Sequence, residues 1–187
     1  MYKGKHDTWF FTGTKTSYGT LIAAAAASSN AVDPPFTTDI PTSTHGMLAG
    51  SLIYIQGTTN YDGLRKILSV PDSASMVIYA KFVAETFSTG DTWKTMYSSP
   101  HPFEFLGFEF HSTAAIANVE NLIINIDAAA GAAYDKKIYQ KAMNGVQSID
   151  NMFDAPRQCM GGDKIDVVFP NAGSKTWGIK LYTRRTG

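Results

Sequence analysis

Hydrophobic and polar residues alternate in short runs along most of the chain, and residues 47 to 90 show the pattern most clearly. Three runs rich in β-branched and aromatic residues are separated by turns rich in Gly, Asn, Asp, Pro and Ser, which is typical of a β-meander. Asn60, Asp62 and Gly63 tolerate the backbone angles of a tight reversal, so we expect them to form the turn of its first hairpin. Tyr61 is expected to fold back onto the sheet. The runs are SLIYIQ, LRKILSV and MVIYAKFV, and the turns are GTTNYDG and PDSAS.

Residues 91 to 187 continue the strand pattern without a convincing amphipathic helix. In FEFLGFEFHS the alternation of Phe103 and Phe105 resumes with a shifted phase at Phe108. A phase shift at a glycine inside a strand predicts a β-bulge, here at Gly107. Strands of this length and spacing predict an all-β fold, either a β-sandwich or a jelly roll. The further strands are ENLIINIDA, YDKKIYQKAM, DKIDVVFPNA and TWGIKLYTRR.

The order of these segments predicts three parts. Residues 91–187 form the β-sandwich or jelly-roll domain, and a strand near Trp9 closes the same domain. Residues 47–90 then form a small β-barrel-like module inserted between strands. Residues 1–46 contain the first strand and an extended N-terminal arm.

The arm is predicted from residues 20 to 46, which hold an alanine run followed by a stretch rich in proline and small polar residues. Proline cannot donate a backbone hydrogen bond, and the alanine run is too short to be a stable helix by itself. We expect this arm to become ordered against a neighbouring molecule. Its predicted contact residues are Pro34, Pro35 and Phe36.

The charge of the chain is balanced, with 16 basic and 16 acidic residues. A neutral chain does not favour nucleic acid or an anionic membrane as a partner. Only 17% of the residues are charged, which suits sheets and protein contacts. Cys159 is the single cysteine, so the chain can form neither an internal disulfide nor a cysteine metal site. The N-terminus lacks the pattern of a secretion signal, which indicates synthesis in a cytoplasm.

Catalytic and metal-binding patterns are weak. The four histidines lack the helical spacing of a zinc motif, and no serine-elbow, phosphate-loop or dinucleotide fingerprint is present. Glu104 and Glu109 beside the bulge are the candidate carboxylate pair for a wall hydrolase. Strand pairing and turn formation account for these acids and for the calcium candidates, so we expect no catalytic residue, no metal and no cofactor. The calcium candidates are Asp127, Asp135 and Asp163.

Two tryptophans are candidate contact residues. Trp93 lies in GDTWK and Trp177 in SKTWGIK. An exposed indole can stack on a sugar or anchor a partner subunit, and packing in the core is the alternative. Tyr61 joins them as the third aromatic contact candidate.

The segments IQGTTNYDG with VIYAKFVAETF, and ENLIINIDAAAGAAYDKKIYQKAMNGVQSID with GGDKIDVVFPNAGSKTWGIKLYTRR, resemble structural proteins of tailed-bacteriophage virions. The resemblance covers about two-thirds of the chain. The phage proteins that the chain resembles are small decoration or minor capsid proteins. It implies an all-β component of the phage particle, made in the bacterial cytoplasm and located in the virion.

The resulting hypothesis is a non-enzymatic virion protein that decorates or stabilises the particle. Its expected partners are copies of itself, in a trimer or pentamer, and the major capsid or other virion proteins. The alternative is a carbohydrate- or receptor-binding module of a phage tail, because jelly rolls also host lectin sites.

Overall fold

The structure, a computed structural model, describes residues 6–13, 17–23, 25–29, 36–43 and 45–186, of which residues 6–13 and 29 are described by their backbone. These residues form antiparallel β-strands and one 3₁₀ turn, Ala132–Tyr134, with no α-helix among them. The prediction of an all-β chain is confirmed. In chain order the strands are β1 (His6–Gly13), β2 (Tyr18–Thr20), β3 (Ser28–Ser29), β4 (Thr37–Pro41), β5 (Leu52–Gln56), β6 (Gly63–Asp72), β7 (Ser75–Tyr79), β8 (Thr92–Lys94), β9 (Met96–Ser98), β10 (Phe103–Ser112), β11 (Asn121–Asp127), β12 (Lys136–Ala142), β13 (Ser148–Cys159), β14 (Lys164–Val168) and β15 (Trp177–Arg185).

Two four-stranded sheets contribute to one core, and together we call them the eight-strand unit. The first sheet has the order β1-β15-β10-β13 and the second β12-β11-β14-β9. In chain order the first of the eight strands pairs with the last, the second with the seventh, the third with the sixth and the fourth with the fifth. Two more pairings, β10 with β15 and β11 with β14, join these pairs into sheets. The unit is therefore one long hairpin folded back over itself.

The core of the eight-strand unit depends on the alternation in β10. Phe103, Phe105, Phe108 and Phe110 are all buried, although the last two are out of phase with the first two. The register shifts between Phe105 and Gly107 against both neighbouring strands, so the predicted β-bulge is confirmed. The four phenylalanines of β10 share a core with residues of both sheets. Among these are Tyr97, Leu122, Ile124, Ile165, Val167, Phe169, Trp177, Ile179 and Leu181.

Gly107 is required at the bulge for two reasons. Its φ is +150°, and a Cβ added there would lie 2.4 Å from the carbonyl oxygen of Asn151 in β13. On the β13 side, residues 153–156 lie opposite the single residue Leu106. The bulge therefore distorts the outermost strand of the first sheet more than β10 itself.

A curled antiparallel sheet of seven described strands, in the order β2-β8-β5-β6-β7-β4-β3, forms a half-barrel. Leu21, directly after β2, bridges Thr42, directly after β4, so the sheet curls back toward its own far side. Strands β5 and β6 form the predicted first hairpin. The half-barrel has a separate core made of Leu21, Ala27, Ile40, Met47, Ile53, Ile55, Tyr61, Ile67, Met76, Ile78, Phe87 and Trp93.

The described part of the segment expected to be an arm lies in the half-barrel. Strand β4 pairs with β7 from Thr37 to Pro41, and its residues Thr38 and Ile40 are fully buried. Residues 30–35 lie outside the described residues. The half-barrel thus contains strands from before residue 46 and from after residue 90, the two boundaries expected from the sequence. Those boundaries were not predictable, because local strand propensity carries no information on distant partners.

The half-barrel is connected to the eight-strand unit between β1 and β9, and the two connections run side by side. Thr95 N–H donates to the Ser17 carbonyl at 2.7 Å, and Val167 N–H donates to the Thr95 carbonyl at 3.1 Å. The Ser17 hydroxyl donates to the Val167 carbonyl at 2.7 Å and accepts from Phe169 N–H at 2.8 Å. Buried Ser17 therefore ties both connections to β14.

Candidate functional surfaces

The three aromatic contact candidates are buried, which corrects the expectation that they face a ligand or partner. Trp93 and Tyr61 have no exposed surface, and Trp177 is 1% exposed. A buried ring cannot stack on a sugar without unfolding its surroundings. The core alternative for the tryptophans is the one that the structure shows.

The surroundings of Trp93 and Tyr61 show why they are buried. A Cβ added to Gly19 in β2 would lie 2.7 Å from the Trp93 indole nitrogen, so the missing side chain makes room for the ring. The Tyr61 hydroxyl donates to the Val83 carbonyl at 2.5 Å and accepts from Val83 N–H at 2.9 Å. Tyr61 thus folds back onto the sheet as expected, and its hydroxyl holds the segment after β7 through the two hydrogen bonds to Val83.

Trp177 belongs to an aromatic cluster in the other core. Its ring stacks on Phe110 with a centroid distance of 6.0 Å and meets the edge of Phe169 at 5.4 Å. The contact with Phe110 joins two strands of the first sheet, and the contact with Phe169 joins β15 to the residue directly after β14 of the second sheet. Trp177 therefore stabilises the packing of the two sheets.

Of the proline-rich contact candidates, Phe36 alone lies among the described residues, and Pro34 and Pro35 lie outside them. Phe36 is 51% exposed, and Tyr79, which pairs with the next residue Thr37, is 58% exposed. Both residues are available on the surface of the half-barrel.

The turn GTTNYDG is held by side chains that make structural hydrogen bonds. The Asp62 carboxylate accepts from Thr58 N–H and from the Thr58 hydroxyl, both at 2.8 Å. Glu85 accepts from Thr59 N–H and Asn60 N–H. These contacts account for the polar residues of the motif without a ligand.

Glu104 and Glu109, the candidate hydrolase pair, are each bound to other side chains of the first sheet. A Gln158 hydrogen bond and the Arg184 guanidinium lower the pKa of Glu104. A Tyr182 hydrogen bond and the Lys180 ammonium lower the pKa of Glu109. A general acid needs a raised pKa instead, so these two carboxylates are poorly suited to that role.

The calcium candidates are each engaged by other groups of the chain. Asp135 accepts from Ala128 N–H, Asp163 accepts from Ala129 and Met160 N–H, and Asp127 pairs with Lys164 at 3.3 Å. Within the part of the chain that the structure describes, no group of three or more His, Cys, Asp and Glu side chains could hold a metal ion.

An open polar cleft of about 260 Å³ lies where β8 of the half-barrel meets the second sheet. Asp166 Oδ1 is buried there without a hydrogen-bond partner. Burial raises the pKa of Asp166, against the opposing effect of Lys94. Sequence analysis named Asp127 and Asp135 as calcium candidates but missed that they share a cleft with Lys94 and Asp166, because these residues come from segments that meet only in the fold. The lining residues are Lys94, Asn125, Ile126, Asp127, Asp135, Lys136, Lys137 and Asp166.

β12 and β13 are long end strands with mostly exposed residues, at the opposite ends of their sheets from β1 and β9. Each is the last strand of its sheet and, among the described residues, pairs on one side only. An unpaired strand edge offers N–H and C=O groups to another chain. Sequence analysis identified both strands but could not show that they are outermost, because pairing order is a property of the whole fold.

Comparisons with protein-family models, with curated proteins and with solved structures found no match to this chain. Across the described residues, no helix has the length and hydrophobicity needed to span a bilayer.

Proposed function

We propose that this chain is a non-enzymatic structural subunit of a bacteriophage virion, which binds copies of itself and neighbouring capsid proteins to decorate or stabilise the particle. The observation that carries the proposal is the nested pairing of the eight-strand unit. Eight strands in two sheets, paired first to last, suit a jelly roll, and the jelly roll is an architecture of viral capsid domains.

The surface chemistry supports the same proposal. The end strands β12 and β13 each pair on one side only in the described chain, and only 17% of the residues are charged. Protein interfaces are depleted of charge at their centres, so a subunit with few charges and accessible edges suits assembly. The half-barrel would act as a rigid projection, because its connections are hydrogen-bonded to β14 through Ser17.

The expected role of the N-terminal arm in attachment needs a different test from deletion. Removing residues 20–46 would remove β3 and β4 together with the buried core residues Leu21, Ala27 and Ile40 of the half-barrel. Substitution of the exposed Phe36 by Asp is the gentler test, since it leaves these strands intact. A loss of attachment with unchanged stability would support a contact role.

The proposed carbohydrate-binding alternative has lost its aromatic candidates, since Trp93 and Trp177 are buried. Jelly rolls do host lectins, and the exposed aromatic residues that remain near one another are Phe36 and Tyr79 on the half-barrel.

The test is the stoichiometry of assembled particles. Particles purified from a producing lysate would be quantified for this chain against the major capsid protein by mass spectrometry and then imaged. A fixed copy number, many per head or a few at one position, is the expected result. Absence from purified particles would overturn the proposal.

A further inference from the structure

The edges of β12 and β13 lie on the same side of the eight-strand unit. The two strands are consecutive in the chain and are joined by residues 143–147. Met143 is buried in this connection. In the core, Tyr139 of β12 meets Phe108 of β10, the neighbour of β13, at a centroid distance of 4.8 Å.

The two edges carry opposite charge. Exposed charges on β12 are all lysines, and two aspartates are exposed on β13 beside one arginine. That arginine, Arg157, stacks over Phe153 of its own strand at 5.0 Å. The exposed lysines are Lys136, Lys137 and Lys141, and the aspartates are Asp150 and Asp154.

These edge charges differ from the charges on the sheet faces. On the faces, Glu104 pairs with Arg184, Glu109 with Lys180 and Asp127 with Lys164. No ion pair to another described residue is formed by Lys141, Asp150 or Asp154. Asp150 even lies opposite Glu109 in the strand register, so its neighbour within the chain has the same sign.

The spacing of the edge charges matches across an antiparallel pair. Lys137 and Lys141 are four residues apart, as are Asp150 and Asp154. In antiparallel strands a register that places Lys141 opposite Asp150 brings Lys137 toward Asp154. The match there is not residue for residue, because β12 has an extra residue at Ile138 and Asp154 is one of the four residues opposite Leu106. Directly opposed charges of opposite sign stabilise such a pair modestly.

We propose that β12 of one copy pairs with β13 of a second copy, and β13 of the first with β12 of the second, in a two-fold dimer. Because both edges lie on one side and the strands run in opposite directions, a two-fold axis along the strands makes both contacts at once. Each four-stranded sheet then continues into a sheet of the other copy. This symmetry differs from the three- or five-fold ring expected above, which needs complementary surfaces on different sides of the subunit.

The same charges exclude wrong pairings. Lysines on an edge strand are a common defence against unwanted edge-to-edge association, and β12 against β12 would bring like charges together. The aspartates of β13 repel each other in the same way. The backbone hydrogen bonds supply the attraction, and the charges select the unlike edge.

The experiment uses two charge-reversal variants of the full chain, Lys137→Glu with Lys141→Glu, and Asp150→Lys with Asp154→Lys. Sedimentation velocity over a concentration series measures the dimer constant. Each variant alone should dimerise at least about tenfold more weakly than the original chain. A mixture of the two should dimerise again, because acidic β12 then faces basic β13 and acidic β13 faces basic β12.

Lys66→Glu with Lys81→Glu is the matched control, since both lysines are exposed on the half-barrel and away from these edges. It makes the same change in net charge as Lys137→Glu with Lys141→Glu and should leave the dimer constant unchanged. A monomeric original chain at every concentration, or dimers that persist in both reversal variants, would overturn the proposal. This inference rests on the proposed self-association in a virion, and particle stoichiometry distinguishes the failure of one from the failure of the other. A chain that is monomeric in solution but present in particles would contradict the dimer and leave the virion role intact.

Discussion

The half-barrel and the eight-strand unit are both antiparallel, but they differ in what happens at their edges. The half-barrel curls until Leu21 bridges Thr42, and its described outer strands, β2 and β3, have three and two residues. The eight-strand unit ends in β12 and β13 on one side, which have seven and twelve residues, and in β1 and β9 on the other, which have eight and three. Short edges discourage pairing and long ones permit it. Assembly is therefore expected through the eight-strand unit.

Their cores differ in a related way. The eight-strand unit is held by contacts between aromatic rings from strands that are far apart in sequence, as in the stack of Phe110 on Trp177. The half-barrel core has fewer aromatic residues, Tyr61, Phe87 and Trp93, and the region adds turn hydrogen bonds, such as those from Thr58 to Asp62. Loss of ring packing should thus affect the first region more, and loss of polar contacts should affect the second.

The largest effect is expected from Phe110→Ala. The ring stacks on Trp177 and meets the edge of Phe169 at 5.2 Å, so its removal leaves a cavity and should cost about 3–5 kcal/mol of unfolding free energy. Urea denaturation measures the loss, and hydrogen exchange should show it in β10 and β15 more than in β5 and β6. Met152→Ala, at a residue that is 53% exposed, is the control. Equal loss of protection in both regions would show that they unfold as one.

Ser17→Ala tests the joint between the regions. The substitution removes the acceptor of Phe169 N–H and the donor to the Val167 carbonyl, and a buried group left unpaired costs about 1–3 kcal/mol. Thermal and urea unfolding measure this cost, for which the exposed Ser69→Ala is the control. A result equal to that of the control would mean that the joint does not depend on the hydroxyl.

Asp62→Ala tests the polar contribution to the half-barrel. Two hydrogen bonds from Thr58 are lost, and the expected cost is about 1 kcal/mol because the site is exposed. The shift in the urea midpoint is compared with that of Asn60→Ala in the same turn. If both substitutions shift the midpoint equally, the carboxylate does not hold the turn.

Asp166→Asn should have the smallest effect and the opposite sign. Burial raises the pKa of Asp166 above its ordinary 3.8, so the folded state prefers the protonated form. Its favourable contribution is complete below pH 3.8 and is lost as pH rises through the raised pKa. The Asn variant should therefore be more stable than the original chain at neutral pH, with a difference that shrinks on acidification. Melting temperatures at several pH values measure this, and a difference that grows toward low pH would contradict the assignment.

The sequence was sufficient where the physical cause is local. The bulge at Gly107 follows from the shifted phase of neighbouring phenylalanines, and the hairpin from β5 to β6 follows from its turn residues. The placement of Trp93 and Trp177 was not predictable, because an indole in a strand is equally compatible with a core and with a contact surface. Burial is decided by distant residues, such as Gly19 beneath Trp93.

Pairing order was also beyond the reach of sequence patterns. Ser17 and Phe169 are joined across 152 positions, and nothing in the local composition of either residue indicates the other. For the same reason β4, predicted as part of an arm, belongs to a sheet with β7. The polar cleft around Asp166 follows the same rule, since its residues come together only when β8, β11 and β14 are in place.

The joint at Ser17 and Thr95 has a consequence for the evolution and engineering of this fold. The chain leaves and re-enters the eight-strand unit at two residues that are hydrogen-bonded to each other at 2.7 Å. Insertions are tolerated best where chain ends lie close together. The half-barrel is thus positioned as an insertion that can be exchanged. A short turn could join β1 to β9 in its place, and an unrelated domain with neighbouring termini could be inserted at the same position.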